Sequence, residues 1–384
     1  MQSVKAEVLY TGTCVVNGAY LAFEEGEVTG VFDEPRGEVI GQYPVLTPAL
    51  IDPHSHIGMV RSGEPESEAE ANDRQESLLV LPDALDSLQM DDSALREAVE
   101  AGVLYSCIVP GSGNILAGRS AVVRNYALDS SGALVERAGL KAAMGYNPMS
   151  TTEWRGTRPT TRMGAMALLR GKLEEVARKE KRYQEADEQE RKKIAFTAEG
   201  DALREVLAGR SVLRVHAHKI DDIAALLRLV DEYGLKVTVE HAMGVDQPQI
   251  FNRLRERGIP VVYGPLDAFA YKPELRKESW RNARHLLDSG VEFAMMSDHP
   301  VTPSRQLFLQ SRWFLRLGRS AQEVVELVTR KNAEVLGVQD RLGTLEAGKW
   351  ASFVGWSGDP LYLGSYPAAV YGEGELLHAE EGGS

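Results

Sequence analysis

The sequence predicts an α/β fold in which parallel strands close into a (β/α)₈ barrel, with helices outside. Three observations carry that reading. Strands and amphipathic helices alternate through the middle of the chain. Histidines gather at the ends of four of those strands, where barrel enzymes keep their chemistry. The length, 384 residues, suits one large barrel plus a small appendage.

The alternation is clearest in the second half. SVLRVHAH (211–218) reads as a strand. A helix follows, with Ile223, Leu226, Leu227 and Val230 on one face, Asp221 placed to cap its start and Gly234 its end. Strand 236–241, helix 246–257, strand 260–264, helix 274–288 and strand 292–300 continue the rhythm. Earlier strands are expected at 45–56, 105–111 and 140–147. One further strand is expected between 147 and 211, but no segment there declares itself. The charged run 172–193 reads as a solvated helix with i,i+4 ion pairs; a lid or partner surface is the functional alternative. GSGNILAG (111–118) lacks the Lys-Ser/Thr of a phosphate loop and reads as a loop over the barrel mouth. Residues 1–47 and those after Gly343 alternate apolar and polar between glycines. The two ends, 1–47 and 343–384, are therefore expected to form a small β domain, with 48–342 as the barrel.

Composition narrows the function. Apolar residues make up 43% of the chain, enough for a sizeable core. No run of about 18 uncharged apolar residues occurs, so no transmembrane helix and no membrane partner are expected. The N-terminus lacks the pattern of a signal peptide. Cys14 and Cys107 belong to no paired motif, and a reducing cytoplasm is the expected setting. A net charge of -13 argues against nucleic acid as a partner. A small-molecule substrate remains.

Six of the eight histidines mark the candidate site. In a strand, residues i and i+2 point to one side, so His54 and His56 project together, as do His216 and His218. His241 ends the next strand, and Asp298-His299 ends the last. Neutral imidazoles suit zinc and similar divalent metals. Such a site lowers the pKa of bound water to about 7. Asp298 is the obvious carboxylate on a histidine-bearing strand end, and it is the candidate base. His218 is read as orienting a ligand or touching substrate, and His299 as a substrate contact. Arg158 and Arg162 are candidate clamps for a substrate carboxylate, with local surface pairing as the alternative. Tyr263 is a candidate oxyanion donor or a packing tyrosine. His285 and His378 read as surface residues.

These residues resemble a known family. LTPALIDPHSH is similar to the opening motif of the amidohydrolase superfamily, and VHAH, VEH and SDHP to its fifth, sixth and eighth strand ends. TRKNAEVLG with LGTLEAGKWASFVGWSGDPL resembles its closing signature. DDSALREAVEAGV and VPGSGNILAGRSAVV resemble the imidazolonepropionase-related branch. The resemblance implies a distorted barrel with a small β-sandwich from both termini, and a homo-oligomer. It implies His54, His56, His216 and Asp298 as ligands of zinc, or of iron, manganese or nickel. His241 would hold a second ion or contact substrate or water.

The sequence also departs from the family. Ala49 and Ser352 stand where glycine and aspartate are common. Two-metal members carry a carboxylated Lys or a Glu on the third or fourth strand. Lys141 begins the strand expected at 140–147, which is the wrong end, and Glu153 and Glu199 are loose alternatives. The balance therefore favours one metal. Deaminases and imidazolonepropionase place Glu three residues after the fifth-strand His; here that residue is Lys219. Hydrolysis of an amide, peptide or cyclic amide is the expectation. A deacetylase, deaminase or lactonase is the alternative, and a non-catalytic barrel the remaining one.

Overall fold

The computed structural model describes residues 1–149 and 158–380. Four strands open the chain: β1 (Gln2–Tyr10), β2 (Val15–Glu24), β3 (Glu27–Phe32) and β4 (Glu38–Pro48). Eight follow: β5 (Leu50–Ser55), β6 (Val103–Ile108), β7 (Leu116–Arg124), β8 (Leu134–Ala143), β9 (Leu213–Ala217), β10 (Val237–His241), β11 (Val261–Tyr263) and β12 (Phe293–Met295). Then come β13 (Phe353–Trp356), β14 (Pro367–Gly372) and β15 (Glu375–Ala379).

The chain's two ends share one seven-stranded sheet, in the order β15-β14-β13-β4-β1-β2-β3. β13 runs antiparallel to β4, with Phe353 opposite Pro48. Buried apolar side chains, among them Val4, Leu21, Phe23, Leu46 and Phe353, form its core. One residue, Ala49, separates β4 from β5, so the polypeptide passes directly from this sheet into the barrel.

β5 to β12 form the second sheet in sequence order. It closes through Asp298 N–H donating to His54 O (3.1 Å) and His56 N–H donating to His299 O (3.0 Å). β6, β9 and β10 are buried along their whole length, as strands covered on both faces must be. The expected barrel is present, and its distortion has a definite source: β7 runs antiparallel to both neighbours, β6 and β8. β7 is also the strand that could not be placed. It was sought between 147 and 211, where the described residues hold only helices, notably Arg162–Glu185 and Ala198–Leu207. It lies instead at Leu116–Arg124, so part of the segment read as a mouth loop enters the sheet.

Other boundaries shift for local reasons. Helix Ile220–Tyr233 buries Ile223, Leu226 and Leu227, and ends at Gly234 in the left-handed region (φ 68°). Its N-cap is Lys219, which makes no side-chain cap; Asp221 lies in the first turn, where its charge meets the helix dipole. The charged run is a solvated helix as far as Glu185, with i,i+4 pairs such as Arg178–Glu174, and a separate short helix, Glu188–Arg191, follows. Expected helix 274–288 is broken into turns at Pro273–Leu275 and Trp280–Asn282 before a short helix, Ala283–Ser289. No helix among the described residues is long and apolar enough to cross a membrane.

Candidate metal centre

The barrel brings the four histidine-bearing strand ends to one place. The His54 and His56 rings lie 5.4 Å apart, His54 and His241 5.0 Å, His216 and His241 4.3 Å. Asp298 sits among them, with Oδ1 3.5 Å from His54 Nε2 and 3.4 Å from His56 Nε2. Two groups of ligand atoms each fall within 4.8 Å: His216, His218 and His241, and His54, His241 and Asp298.

Hydrogen bonds choose which nitrogen each ring can offer. His54 Nδ1 donates to Glu240 Oε2 (2.7 Å), His56 Nδ1 to Val109 O (2.7 Å), and His241 Nδ1 to Gly264 O (3.1 Å). These three rings therefore present Nε2. His216 is the reverse: Nε2 donates to Glu274 Oε1 (3.2 Å), and Nδ1 has no partner. His241 Nε2 is likewise buried without a partner. Tying one nitrogen and freeing the other is how protein matrices orient histidine ligands. A buried polar atom without a partner is costly, and a divalent ion would satisfy these. The donor set therefore fits a metal. His218 differs, since neither of its nitrogens has a hydrogen-bond partner.

Backbone strain marks the same place. Glu240 faces into the barrel, so strict alternation would turn His241 outward. A φ of 80° at His241 and 57° at Ala242 breaks that alternation and brings the ring inward. Asp298 is also left-handed (φ 53°). Such conformations persist where surrounding structure imposes them, commonly at functional sites.

Three residues that sequence reasoning set aside or missed complete the centre. Lys141 is fully buried, with Nζ 3.3 Å from His54 Nε2. It was dismissed because the strand was expected to start at 140. β8 in fact starts at Leu134, through antiparallel pairing with β7, so Lys141 lies near its C-terminal end. Gly139 (φ 88°) interrupts the strand pattern, and a Cβ there would meet Val212 O at 2.1 Å. Glu240 is buried and joins His54 to Arg214 (3.6 Å) and Thr238. Glu274 is buried beneath Lys272 Nζ (2.8 Å) and accepts from Tyr146 N–H (3.0 Å).

Electrostatics follow from burial. Desolvation, reinforced by Lys141, pulls His54 down to about 4. His216, His218 and His241 are held well below their ordinary value, chiefly by burial. Burial draws the Lys141 amine down to about 8, against Glu240 and Asp298. Burial pushes the Asp298 carboxyl up, but His56, His54 and Lys141 outweigh it and hold the group well below the usual range. Burial thus favours the neutral form of His54, His216, His218 and His241 and leaves Asp298 ionised, as metal binding requires.

Other expected residues fare unevenly. His299 is buried beside His56, accepts from Ser304 N–H (3.3 Å) and leaves Nε2 without a partner. Arg162 is committed to Asp222 through two hydrogen bonds (2.6 and 3.2 Å), which removes it as a free clamp. Arg158 donates to Gly113 O. Tyr263 lies in the apolar layer around the barrel, with no hydrogen bond or ring contact to the histidines. Glu199 pairs with Lys172 on an outer helix (2.9 Å) and bridges nothing at the centre. Glu153 lies outside the described residues.

The profile of the Amidohydrolase family matches residues 158–375. Amidohydrolase tasK of Hapsidospora irregularis is 25% identical over 355 residues, 86% of this chain and 36% of that protein. An imidazolonepropionase of Thermoplasma acidophilum is 25% identical over 144 residues, 37% of this chain and 33% of that protein. The chain thus spans about a third of the length of these curated relatives. The crystal structure of an amidohydrolase from Thermotoga maritima MSB8 superposes with a TM-score of 0.91 at 29% identity, covering 99% of this chain and all of that one.

Proposed function

The chain belongs to the amidohydrolase family, and from that premise we propose a hydrolase dependent on a divalent metal, most naturally zinc, that cleaves the C–N bond of an amide, peptide or cyclic amide. The observation that carries it is the set of tied histidines. Four rings each have one nitrogen fixed by a protein acceptor, with the other left for an ion. The catalytic unit on this reading is the barrel, 48–342, with the terminal segments 1–47 and 343–384 as its supporting domain.

His54, His56 and Asp298 would hold one ion, and His216 and His241 a second. Lys141, whose Nζ lies 3.3 Å from His54 Nε2, would join this ligand set once its amine has taken up carbon dioxide and released a proton to become a carbamate. This reverses the one-metal balance drawn from sequence. When bound, the metal supplies Lewis acidity and an activated water. Asp298 accepts the proton of the attacking water and returns it to the departing nitrogen. Glu240 and Glu274 hold the rings of His54 and His216 in the required tautomers. His218, with both nitrogens unpartnered, would contact substrate. Lys219 leaves no carboxylate three residues beyond His216, which favours amide hydrolysis over ring deamination and over the reaction named for the imidazolonepropionase relatives.

Metal analysis of protein purified without chelator tests this reading, together with a panel of dipeptides, N-acyl amino acids and cyclic amides. About two equivalents of divalent metal per chain and chelator-sensitive hydrolysis are expected. About one equivalent would return Lys141 to a structural role. No metal even after reconstitution overturns the proposal. Ammonia released from an aminated ring would favour a deaminase instead.

A further inference from the structure

At the opposite end of the barrel from the histidines, a cavity of about 860 Å³ opens between the middle of β8 and the N-terminal ends of β9, β10 and β11. Its size is that of a small-molecule site. The chain carries a net charge of -13, yet this wall holds more cations than carboxylates. Its carboxylates are already taken: Glu205 by Arg210 (2.7 Å), Glu136 by Arg341 (2.8 Å) and Glu334 by Arg330 (2.6 Å). Two wall cations are also held, Arg137 by Asp83 and Arg257 by Asp231. Arg119 and Lys236 remain, with no ion pair among the described residues, and Arg214 has only Glu240, 3.6 Å away.

Arg214 is the telling member. It is 1% exposed and projects from β9 on the same face as His216. Its Nε donates to Ala138 O (2.6 Å), while Nη1 is buried with no hydrogen-bond acceptor. Glu240, 3.6 Å away, is the nearest carboxylate, and it is already engaged by His54 and Thr238. Ser120, in the same wall and also 1% exposed, has a hydroxyl with no partner. Buried donors of this kind call for an acceptor, and a charged one suits a guanidinium best.

We propose that this cavity binds a small multivalent oxyanion, a phosphate monoester or a polycarboxylate, with Arg214 and Ser120 at its floor and Arg119 and Lys236 at its rim. The test is calorimetric titration of the purified protein with inorganic phosphate and with citrate, using chloride as control. One saturable event per chain is expected for phosphate or citrate and none for chloride. The tighter of the two identifies the ligand as a phosphate or a polycarboxylate. The double variant Arg119→Gln/Lys236→Gln, at the rim and away from the metal centre, should weaken binding roughly tenfold or more, with metal content unchanged. Arg214→Gln should abolish binding; if it fails to fold, the rim variant still decides. No saturable binding by either anion overturns the assignment. So does binding that the rim variant leaves intact, because the anion would then sit elsewhere, at the metal centre above all.

Discussion

The seven-stranded sheet fills its interior with Val4, Leu21, Phe23, Leu46 and Phe353, all buried and all apolar. The barrel sends Lys141, Arg214, His216 and Glu240 into its interior from three neighbouring strands, equally buried but ionisable. The energetics of the two regions run in opposite directions. Apolar burial stabilises by about 25 cal/mol per Å². Buried ions cost desolvation that their pairing only partly returns, and apolar replacements are often as stable or more so. A barrel could be filled with branched aliphatic side chains, as barrels ordinarily are. On the proposed function, Lys141 and Glu240 serve the placement of His54, whereas the terminal sheet serves stability.

Substitutions can break or sharpen that contrast. The largest effect should come from Asp298→Asn, which removes the proton acceptor: turnover should fall roughly a hundred- to ten-thousand-fold, read as kcat on a substrate from the hydrolysis panel. A rate near wild type would remove Asp298 from the mechanism. Phe353→Ala empties part of the sheet's core and should cost about 3–5 kcal/mol in urea unfolding, with metal content untouched. Glu240→Gln should weaken metal affinity about 10–100-fold in a chelator competition, and it should also lower the unfolding midpoint, because the buried Arg214 loses its carboxylate. Loss of stability with unchanged metal affinity would make Glu240 a structural residue and undo the contrast. Smallest of all, Arg162→Ala takes a half-exposed guanidinium away from the buried Asp222 carboxylate and should cost about 1–3 kcal/mol of stability, with KM unchanged. A clear rise in KM would restore it as a substrate clamp.

The contrast also explains what could be read from sequence. His54, His56, His216 and His218 were legible because strand alternation makes i and i+2 share a side. His241 was placed correctly at its strand end, although its inward turn depends on a positive φ that no spacing announces. Lys141 was misjudged because Gly139 disguises the first half of β8, and because the antiparallel β7 that extends β8 was read partly as a loop. Glu274 was hidden in a segment read as helix; its carboxylate is drawn instead to His216 and Lys272. Arg162 and Tyr263 looked functional by position, and only tertiary contacts show the first committed to Asp222 and the second packed in the apolar layer. Residues whose position follows from one strand's geometry were readable. Those whose position depends on a partner strand or a tertiary contact were not.

The pairing of β13 with β4 has a consequence for synthesis. β4 gains its partner on that edge only when residues near the far end of the chain exist. A ribosome adds roughly 5–20 residues each second, so the nascent β1–β4 ribbon must wait through the emergence of the whole barrel with one edge open. An open edge of that kind is a template for wrong pairing. The terminal sheet would thus act as the latch of folding, closing last, and cellular holding factors would be needed for β4 rather than for the barrel that carries the chemistry.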